Sequence, residues 1–471
     1  MNVLANIRVE KDLIGFREVK NECYYGVQTL RALENFQLSN SKISNFPLFI
    51  KSLAMVKLAC AKANFKLNKL DQAKFQAIQH ACQQLIDGHY HDQFPIDMLQ
   101  GGAGTSTNMN INEVLANIGL EYLDHAKGEY KFLHPNNDIN MSQSTNDVYP
   151  TAIRLGLMLQ LDQLNTPFAS LIESFQQKAQ EFSHILKMGR TQLQDAVPMT
   201  LGQEFAAFAH TLQKDLALLN EVVPQQLKFM NLAGTAIGTG INTEFPYKAL
   251  AIEALANISG KDIQSAPDLI EATSDMGDFV LLSGLLKRTA TKLSKIANDL
   301  RLLSSGPRAG INEINLEARQ PGSSIMPGKV NPVIPEAMNI ACFQIIANDL
   351  AVTLAADAGQ LQLNAMEPLI AFKLFESIDL LGKAMTMLQT KCVDTITANE
   401  EHCKALVENS IGIVTALNPY LGYETTTRIA KMAAEQGQNI IKLVRAESLL
   451  SEHVLEQILS VDHMVQPKMS A

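Results

Sequence analysis

Residues able to do chemistry concentrate in Gly322-Ser323-Ser324-Ile325-Met326-Pro327-Gly328-Lys329-Val330-Asn331-Pro332, which sets two hydroxyls, an amine and an amide among glycines and prolines. Gly322 and Gly328 open backbone angles closed to other residues. Pro327 and Pro332 keep the segment from joining a helix. Such a loop can swing and then hold a shape. Lys329 supplies charge and Asn331 supplies amide donors, a set suited to an anionic substrate. The same residue types are ordinary in surface turns, so composition alone leaves a plain loop open. The order of the residues is the more specific signal.

Three further polar stretches share this character. Gly101-Gly102-Ala103-Gly104-Thr105-Ser106-Thr107-Asn108-Met109-Asn110 opens a helical pattern, and a helix N-terminus favours anions. No strand pattern precedes it and its glycine spacing differs from a dinucleotide fingerprint. Ser142-Gln143-Ser144-Thr145-Asn146-Asp147 again stands just before a helix, where any one of these residues would serve as an N-cap. Gly189-Arg190-Thr191-Gln192-Leu193-Gln194-Asp195-Ala196-Val197-Pro198 reads as a fourth polar loop. Arg31 follows a glycine turn, where a solvated arginine is the plain alternative. His89 and His91 lack a third ligand nearby and read as surface residues.

Helices must position these loops. Apolar spacing predicts helices over 47–67, 71–86, from the second polar stretch to about 123, 149–182 with a kink at Pro167, 201–230, 274–305, 334–356 and 367–398. Residues 1–47 read as loops and short turns, and 231–247, with Gly234, Gly238 and Gly240, as a flexible crossing. Several of the later helices are apolar around much of their circumference, as in Phe279, Leu281, Leu282, Leu285 and Leu286. Such helices need partners on several sides, which implies a bundle and a multi-subunit core. The expected fold is all-α in three domains: 1–141, a central helical bundle over 142–398 that carries the 322–332 loop, and a small helical domain over 399–471.

With 471 residues, 46% apolar and 18% charged, the chain is a folded, multi-domain protein. A net charge of −9 without a long basic run argues against nucleic acid and acidic membrane surfaces as partners. Six scattered cysteines form no CxxC pair and read as free thiols in a reducing cytosol. The N-terminus lacks a signal peptide's apolar core, and no apolar stretch is expected to reach membrane-spanning length. A cytoplasmic location follows from these expectations.

The 322–332 stretch resembles the signature loop of the aspartase/fumarase superfamily, GSSxMPxKxNP. The other polar loops occur in the same order there, so the resemblance covers essentially the whole chain. Within the superfamily the chain is most similar to the aspartase branch. Val333-Ile334-Pro335-Glu336 follows the loop, and Gly359-Gln360-Leu361-Gln362-Leu363-Asn364-Ala365-Met366-Glu367-Pro368 is aspartase-like. Gln192 stands where fumarases carry a histidine.

The resemblance implies elimination of ammonia from L-aspartate to give fumarate. Removing a Cβ proton beside a carboxylate leaves a carbanion whose charge must spread into an aci-carboxylate, held among preorganised donors. By resemblance, Thr105, Ser144, Thr145, Thr191, Lys329 and Asn331 contact substrate, and Asn146 helps to seat the amino group. Arg31 holds the α-carboxylate, with Gln192 and Met326 as further binding positions. Ser323 is the implied base, with Lys329 and loop backbone N–H groups supporting its alkoxide; Ser324 is its competitor. Glu336 either orients the loop or is simply a carboxylate in a helix first turn. The resemblance further implies a homotetramer, with a central bundle of five helices per subunit pooled into a twenty-helix core and each site shared by three subunits. No cofactor is required, and magnesium, which activates some aspartases, is the one cation effect it carries. Fumarase, an argininosuccinate or adenylosuccinate lyase, and a catalytically silent scaffold are the rival readings.

Overall fold

The computed structural model describes residues 6–465. The chain is all-α in class, with short two-stranded ribbons at its loops. In order come β1 (Ile7–Lys11), β2 (Phe16–Lys20), α1 (Val27–Asn35), α2 (Pro47–Lys66), α3 (Gln72–Ile86), α4 (Thr105–Tyr122) and α5 (Thr145–Glu181). The hairpin strands β3 (Leu186–Thr191) and β4 (Gln194–Thr200) precede α6 (Leu201–Glu221), α7 (Val223–Leu227) and α8 (Tyr247–Ser259). Then follow α9 (Glu271–Ser274), α10 (Gly277–Leu303), α11 (Val333–Asp357), α12 (Glu367–Lys391) and the shorter helices of the C-terminal region. The expected long helices are all present. Pro224 interrupts the one expected over 201–230, so α6 ends at Glu221 and α7 starts with the proline in its first turn.

The chain divides into two compact units. One holds residues 1–165, 217–288 and 344–380, the other 166–216, 289–343 and 381–471. The boundaries fall inside α5, α6, α10, α11 and α12.

In the first unit α2 runs through the core, with Phe49, Leu53, Val56 and Cys60 buried and Lys57 buried among them. Phe46, Phe49, Tyr149 and Phe375 form an aromatic cluster beside it. Asp71 caps α3 by accepting from the Lys74 N–H at 2.8 Å, which fixes where that helix starts. In the second unit Phe175, Phe182, Phe205 and Phe208 pack edge to face between α5 and α6. The C-terminal helices bury Ile413, Leu417, Ile429, Ile440, Val444 and Leu455 around Met188 of β3.

Four expectations are corrected. Residues 1–47 are not only loops: β1 and β2 pair antiparallel, and α1 follows. The 189–198 stretch is a β-hairpin, with β3 and β4 joined by Gln192 and Leu193. The first part of the 231–247 segment, 231–235, is a buried, built turn rather than a flexible crossing, since Asn231, Ala233 and Thr235 make buried hydrogen bonds, while 236–246 is largely exposed. Finally, α11 is long and apolar enough to cross a membrane by length and composition. Its character is that of a packed helix with two apolar faces. Met338, Cys342, Ile345 and Val352 are buried, whereas Ile340, Phe343, Leu350 and Leu354 are exposed. It also buries Asn339, Asn348 and Asp349, polar groups costly inside lipid.

Candidate active site

The sequence-derived site residues divide between the units: Arg31, Thr105, Ser144, Thr145 and Asn146 in the first, Thr191, Gln192, Ser323, Met326, Lys329 and Asn331 in the second.

In the second unit the 322–332 loop is pinched at its neck. The Gly322 N–H donates to the Lys329 carbonyl at 2.8 Å, and Asn331 Nδ2 donates to the Gly322 carbonyl at 2.8 Å. A Cβ at Gly322 would stand 2.7 Å from the Lys329 carbonyl oxygen and 2.9 Å from the Asn331 nitrogen, so only glycine closes this neck. Gly328 takes φ +81°, the left-handed turn its lack of a side chain permits. Ser323 Oγ accepts backbone N–H groups of Ile325 at 3.2 Å and Met326 at 3.1 Å. Two donors converging on one hydroxyl oxygen favour its alkoxide, and the adjacent Ser324 hydroxyl is merely exposed. The rest of the loop is open: Ile325 is 83% exposed, and Met326 and Lys329 are also exposed. Loop N–H groups thus reach the Ser323 hydroxyl, and Lys329 meets the loop through its backbone.

Thr191 ends β3 at the hairpin tip. Gln192 and Leu193 take φ +56° and +63°, so both central turn residues lie in the left-handed region without being glycine. Strain of this kind clusters where side chains must be presented, and Thr191, Gln192 and Leu193 are all exposed. Beneath the tip, buried Glu313 receives Lys187 at 2.9 Å and Arg190 at 2.8 Å, and Lys187 also pairs with Glu204.

In the first unit Thr105 opens α4 after Gly104, whose φ is +86° and where a Cβ would stand 2.5 Å from the Tyr149 ring. Asn108, one turn on, donates from Nδ2 to Thr145 Oγ1 at 3.1 Å, so α4 and the start of α5 are joined through a site hydroxyl. Ser144 Oγ accepts from the Asn146 N–H at 3.3 Å. Asn146 Nδ2 donates to the Ala236 carbonyl at 2.8 Å, which leaves its Oδ1 as an acceptor.

Arg31 lies on α1, and its guanidinium makes a two-point pair with Asp12, Nε to Oδ2 at 2.7 Å and Nη2 to Oδ1 at 2.8 Å. The arginine hydrogen bond holds the Asp12 carboxyl below its ordinary value. The structure thus gives Arg31 a partner within its own chain that its sequence neighbourhood did not announce.

Several buried charges support these segments, and the sequence reading did not single them out. Lys57 Nζ donates to Asn108 Oδ1 at 2.7 Å, Gln143 Oε1 at 2.8 Å and Asn140 Oδ1 at 2.9 Å. Its full burial pushes its pKa down to about 7. Glu113 of α4 receives the backbone N–H groups of Gly26, Gln28 and Thr29, capping α1 from across the fold. Burial pushes Glu113 up to about 7 against those bonds. The available signal was a charged residue at an apolar helical position, as Lys57 is between Val56 and Leu58. Among the described residues, no three His, Cys, Asp or Glu side chains group as a metal site would need.

Long helices carrying polar loops are an arrangement this chain shares with a family of lyases. Residues 15–347 match the family model described as Lyase, and residues 413–466 the one described as Fumarase C C-terminus. The chain belongs to this lyase family. It is 64% identical over 469 residues to the aspartate ammonia-lyase of Pseudomonas canavaninivorans, covering 100% of this chain and 99% of that one. It is 53% identical to the aspartate ammonia-lyase of Escherichia coli K12, covering 99% and 98%. Among solved structures, the fumarate lyase:delta crystallin of Brucella melitensis bound to cobalt matches with TM-score 0.95 at 53% identity, covering 98% of this chain and 100% of that one. The class II fumarase of Schistosoma mansoni matches with TM-score 0.90 at 33% identity, covering 97% and 98%.

Proposed function

We propose that this chain is an aspartate ammonia-lyase, a carbon–nitrogen lyase that reversibly converts L-aspartate to fumarate and ammonia. The observation that carries the reading is identity of 53–64% over essentially the full length with enzymes of that name, against 33% with a fumarase. In the proposed reaction Ser323 Oγ, as an alkoxide held by the Ile325 and Met326 N–H groups, takes the Cβ proton. The electron pair moves into the β-carboxylate, whose second charge is met by hydroxyl, amide and ammonium donors from Thr105, Ser144, Thr145, Thr191, Lys329 and Asn331. Collapse of this aci-carboxylate forms the Cα–Cβ double bond and expels ammonia with the Cα–N electron pair. Asn146 Oδ1, left free by the bond from Nδ2 to Ala236, accepts from the substrate ammonium. Arg31 takes the α-carboxylate, and Gln192 and Met326 line the same substrate; an amide cannot titrate, so Gln192 moves no proton.

The homotetramer, with sites shared by three subunits and a twenty-helix core, is part of this proposal. Ile340, Phe343, Leu350 and Leu354 support it: they follow helical spacing along α11 and leave its apolar row open for partner helices. A cytoplasmic location is proposed from six free cysteines, all buried. Activation by magnesium is proposed on the resemblance alone. The test is the absorbance of fumarate formed by pure protein from L-aspartate, L-malate or argininosuccinate. Much faster formation from L-aspartate is expected, and equal or faster formation from L-malate would overturn the reading in favour of fumarase.

A further inference from the structure

Asp147 lies one residue beyond the Ser144-Thr145-Asn146 run and has no solvent exposure. Its Oδ1 accepts the Ser144 N–H at 2.9 Å, and its Oδ2 accepts the N–H groups of Ala233 at 3.0 Å and Thr235 at 3.1 Å. One carboxylate therefore ties the start of α5 to a loop nearly ninety residues further along the chain. That loop carries the carbonyl of Ala236, to which Asn146 Nδ2 donates, and Asn231 Nδ2 returns a bond to the Asn146 carbonyl at 2.9 Å.

The loop is strained where it meets the carboxylate. Ala233 has φ +73° and Thr235 φ +54°, left-handed conformations that side chains with a Cβ disfavour. Those angles turn both N–H groups onto Asp147. The Thr235 hydroxyl is itself buried without a partner, so its backbone bond is what anchors that residue. Farther along, Gly238 has φ +95° and a Cβ there would stand 2.4 Å from the Ile270 nitrogen, so the loop cannot shift toward α9. Lys57 and Cys60 on α2 and Tyr247 on α8 are the buried polar groups that feel the Asp147 charge.

We infer that Asp147 is a positioning residue that fixes the orientation of the Asn146 amide, through the 233–236 loop, and so sets recognition of the substrate's amino group as distinct from its carboxylates. The inference rests on the proposed function and on the assignment of Asn146. Without Asp147 the strained loop relaxes, the Ala236 carbonyl leaves Nδ2, and the amide is free to turn a donor toward a cation.

The test uses the full-length enzyme and two ligands: L-aspartate, and succinate, a dicarboxylate with no amino group, as competitive inhibitor. In Asp147→Asn the single amide oxygen can accept on one side only, so the NH2 group faces backbone donors either at Ser144 or at Ala233 and Thr235, and the tie between Ser144 and the loop is cut at constant size. The expected result is a rise of about tenfold or more in KM for L-aspartate, and for ammonia in the reverse direction, as for loss of one hydrogen bond to a charged group. The inhibition constant of succinate should stay within about twofold. Adding Ala233→Gly and Thr235→Gly, which accept left-handed angles without strain, should recover part of the loss. A general disturbance of the fold would instead raise both constants together. That result, or no change in either constant, overturns the inference. Asn146→Ala separates this from the underlying assignment: a split there but not in Asp147→Asn removes only the role of Asp147, and no split there removes the role of Asn146. If Asp147→Asn does not fold, Asn231→Ala carries the test. It loses the bond to the Asn146 carbonyl, and the same split is expected of it; a parallel rise in both constants would overturn the inference.

Discussion

Ser323→Ala is the substitution that tests the proposed chemistry most directly. The hydroxyl sits in a partly exposed neck, and its only described partners are the Ile325 and Met326 N–H groups at 3.2 and 3.1 Å. Losing it uncovers two donors that water can reach, so the fold should be nearly unaffected. Loss of one oxyanion donor costs an enzyme about 2.7–4 kcal/mol, so two donors on an alkoxide supply about 5–8 kcal/mol once the loop closes and water leaves. A base that strong is absent in the alanine variant. We predict a fall in kcat of about a thousandfold or more, roughly 4 kcal/mol in the barrier, with KM little changed because the hydroxyl acts chiefly in the transition state. Initial rates of fumarate formation measure it, with circular dichroism and size-exclusion chromatography as controls. Exchange of the Cβ proton of L-aspartate with deuterated solvent should fall equally, since that step is the one the base performs. Ser324→Ala should remain within about threefold of the parent, its hydroxyl having no donors aimed at it. A crippled Ser324→Ala beside a mild Ser323→Ala would refute the reasoning and reverse the assignment.

Arg31→Ala should raise KM for L-aspartate more than it lowers kcat, by removing the guanidinium proposed to take the α-carboxylate beside or in exchange for Asp12; an unchanged KM would leave Arg31 as the structural partner of Asp12 alone. Two inactive variants, Ser323→Ala and Thr191→Val, should regain a measurable fraction of activity when refolded together and none when refolded alone, if these segments reach a site from different subunits; verified mixed tetramers without activity would place both in one subunit's contribution. The folded-state pKa of Lys57, about 7, lies below its ordinary value of 10.5, so between those values the unfolded chain binds the extra proton. The contribution of Lys57 to stability should therefore grow as pH rises from about 7 to about 10, and Lys57→Met should flatten that slope in denaturant titrations at pH 7, 8 and 9; identical slopes for both proteins would contradict it.

The long helices were legible because their apolar residues recur over many turns, as Phe49, Leu53 and Val56 do on α2. The hairpins were not. The β3–β4 turn is built from Gln192 and Leu193 at positive φ, not from the Asn-Gly or Gly-containing pairs that announce such turns. α1 is short and owes its start to Glu113, a residue on another helix, so nothing within 27–35 marks it. Within the site, the serine loop was legible from residue order. The donors on Ser323 are backbone N–H groups, present at nearly every residue, so only their geometry distinguishes it from Ser324. Arg31 shows the limit most plainly: its partner Asp12 lies nineteen residues earlier, and pairing at that separation leaves no local pattern.

The pinched neck at Gly322 has a practical consequence. Residues between it and Lys329 form a tethered bow with Ile325 at 83% exposure, the kind of tip that proteases cut first. A single nick there would leave both halves of the neck bonded to the body while severing the serine from its lysine. With the loop closing over bound substrate, as the proposed reaction requires, resistance to limited proteolysis would read ligand occupancy without turnover, suited to screening inactive variants and slow inhibitors by gel.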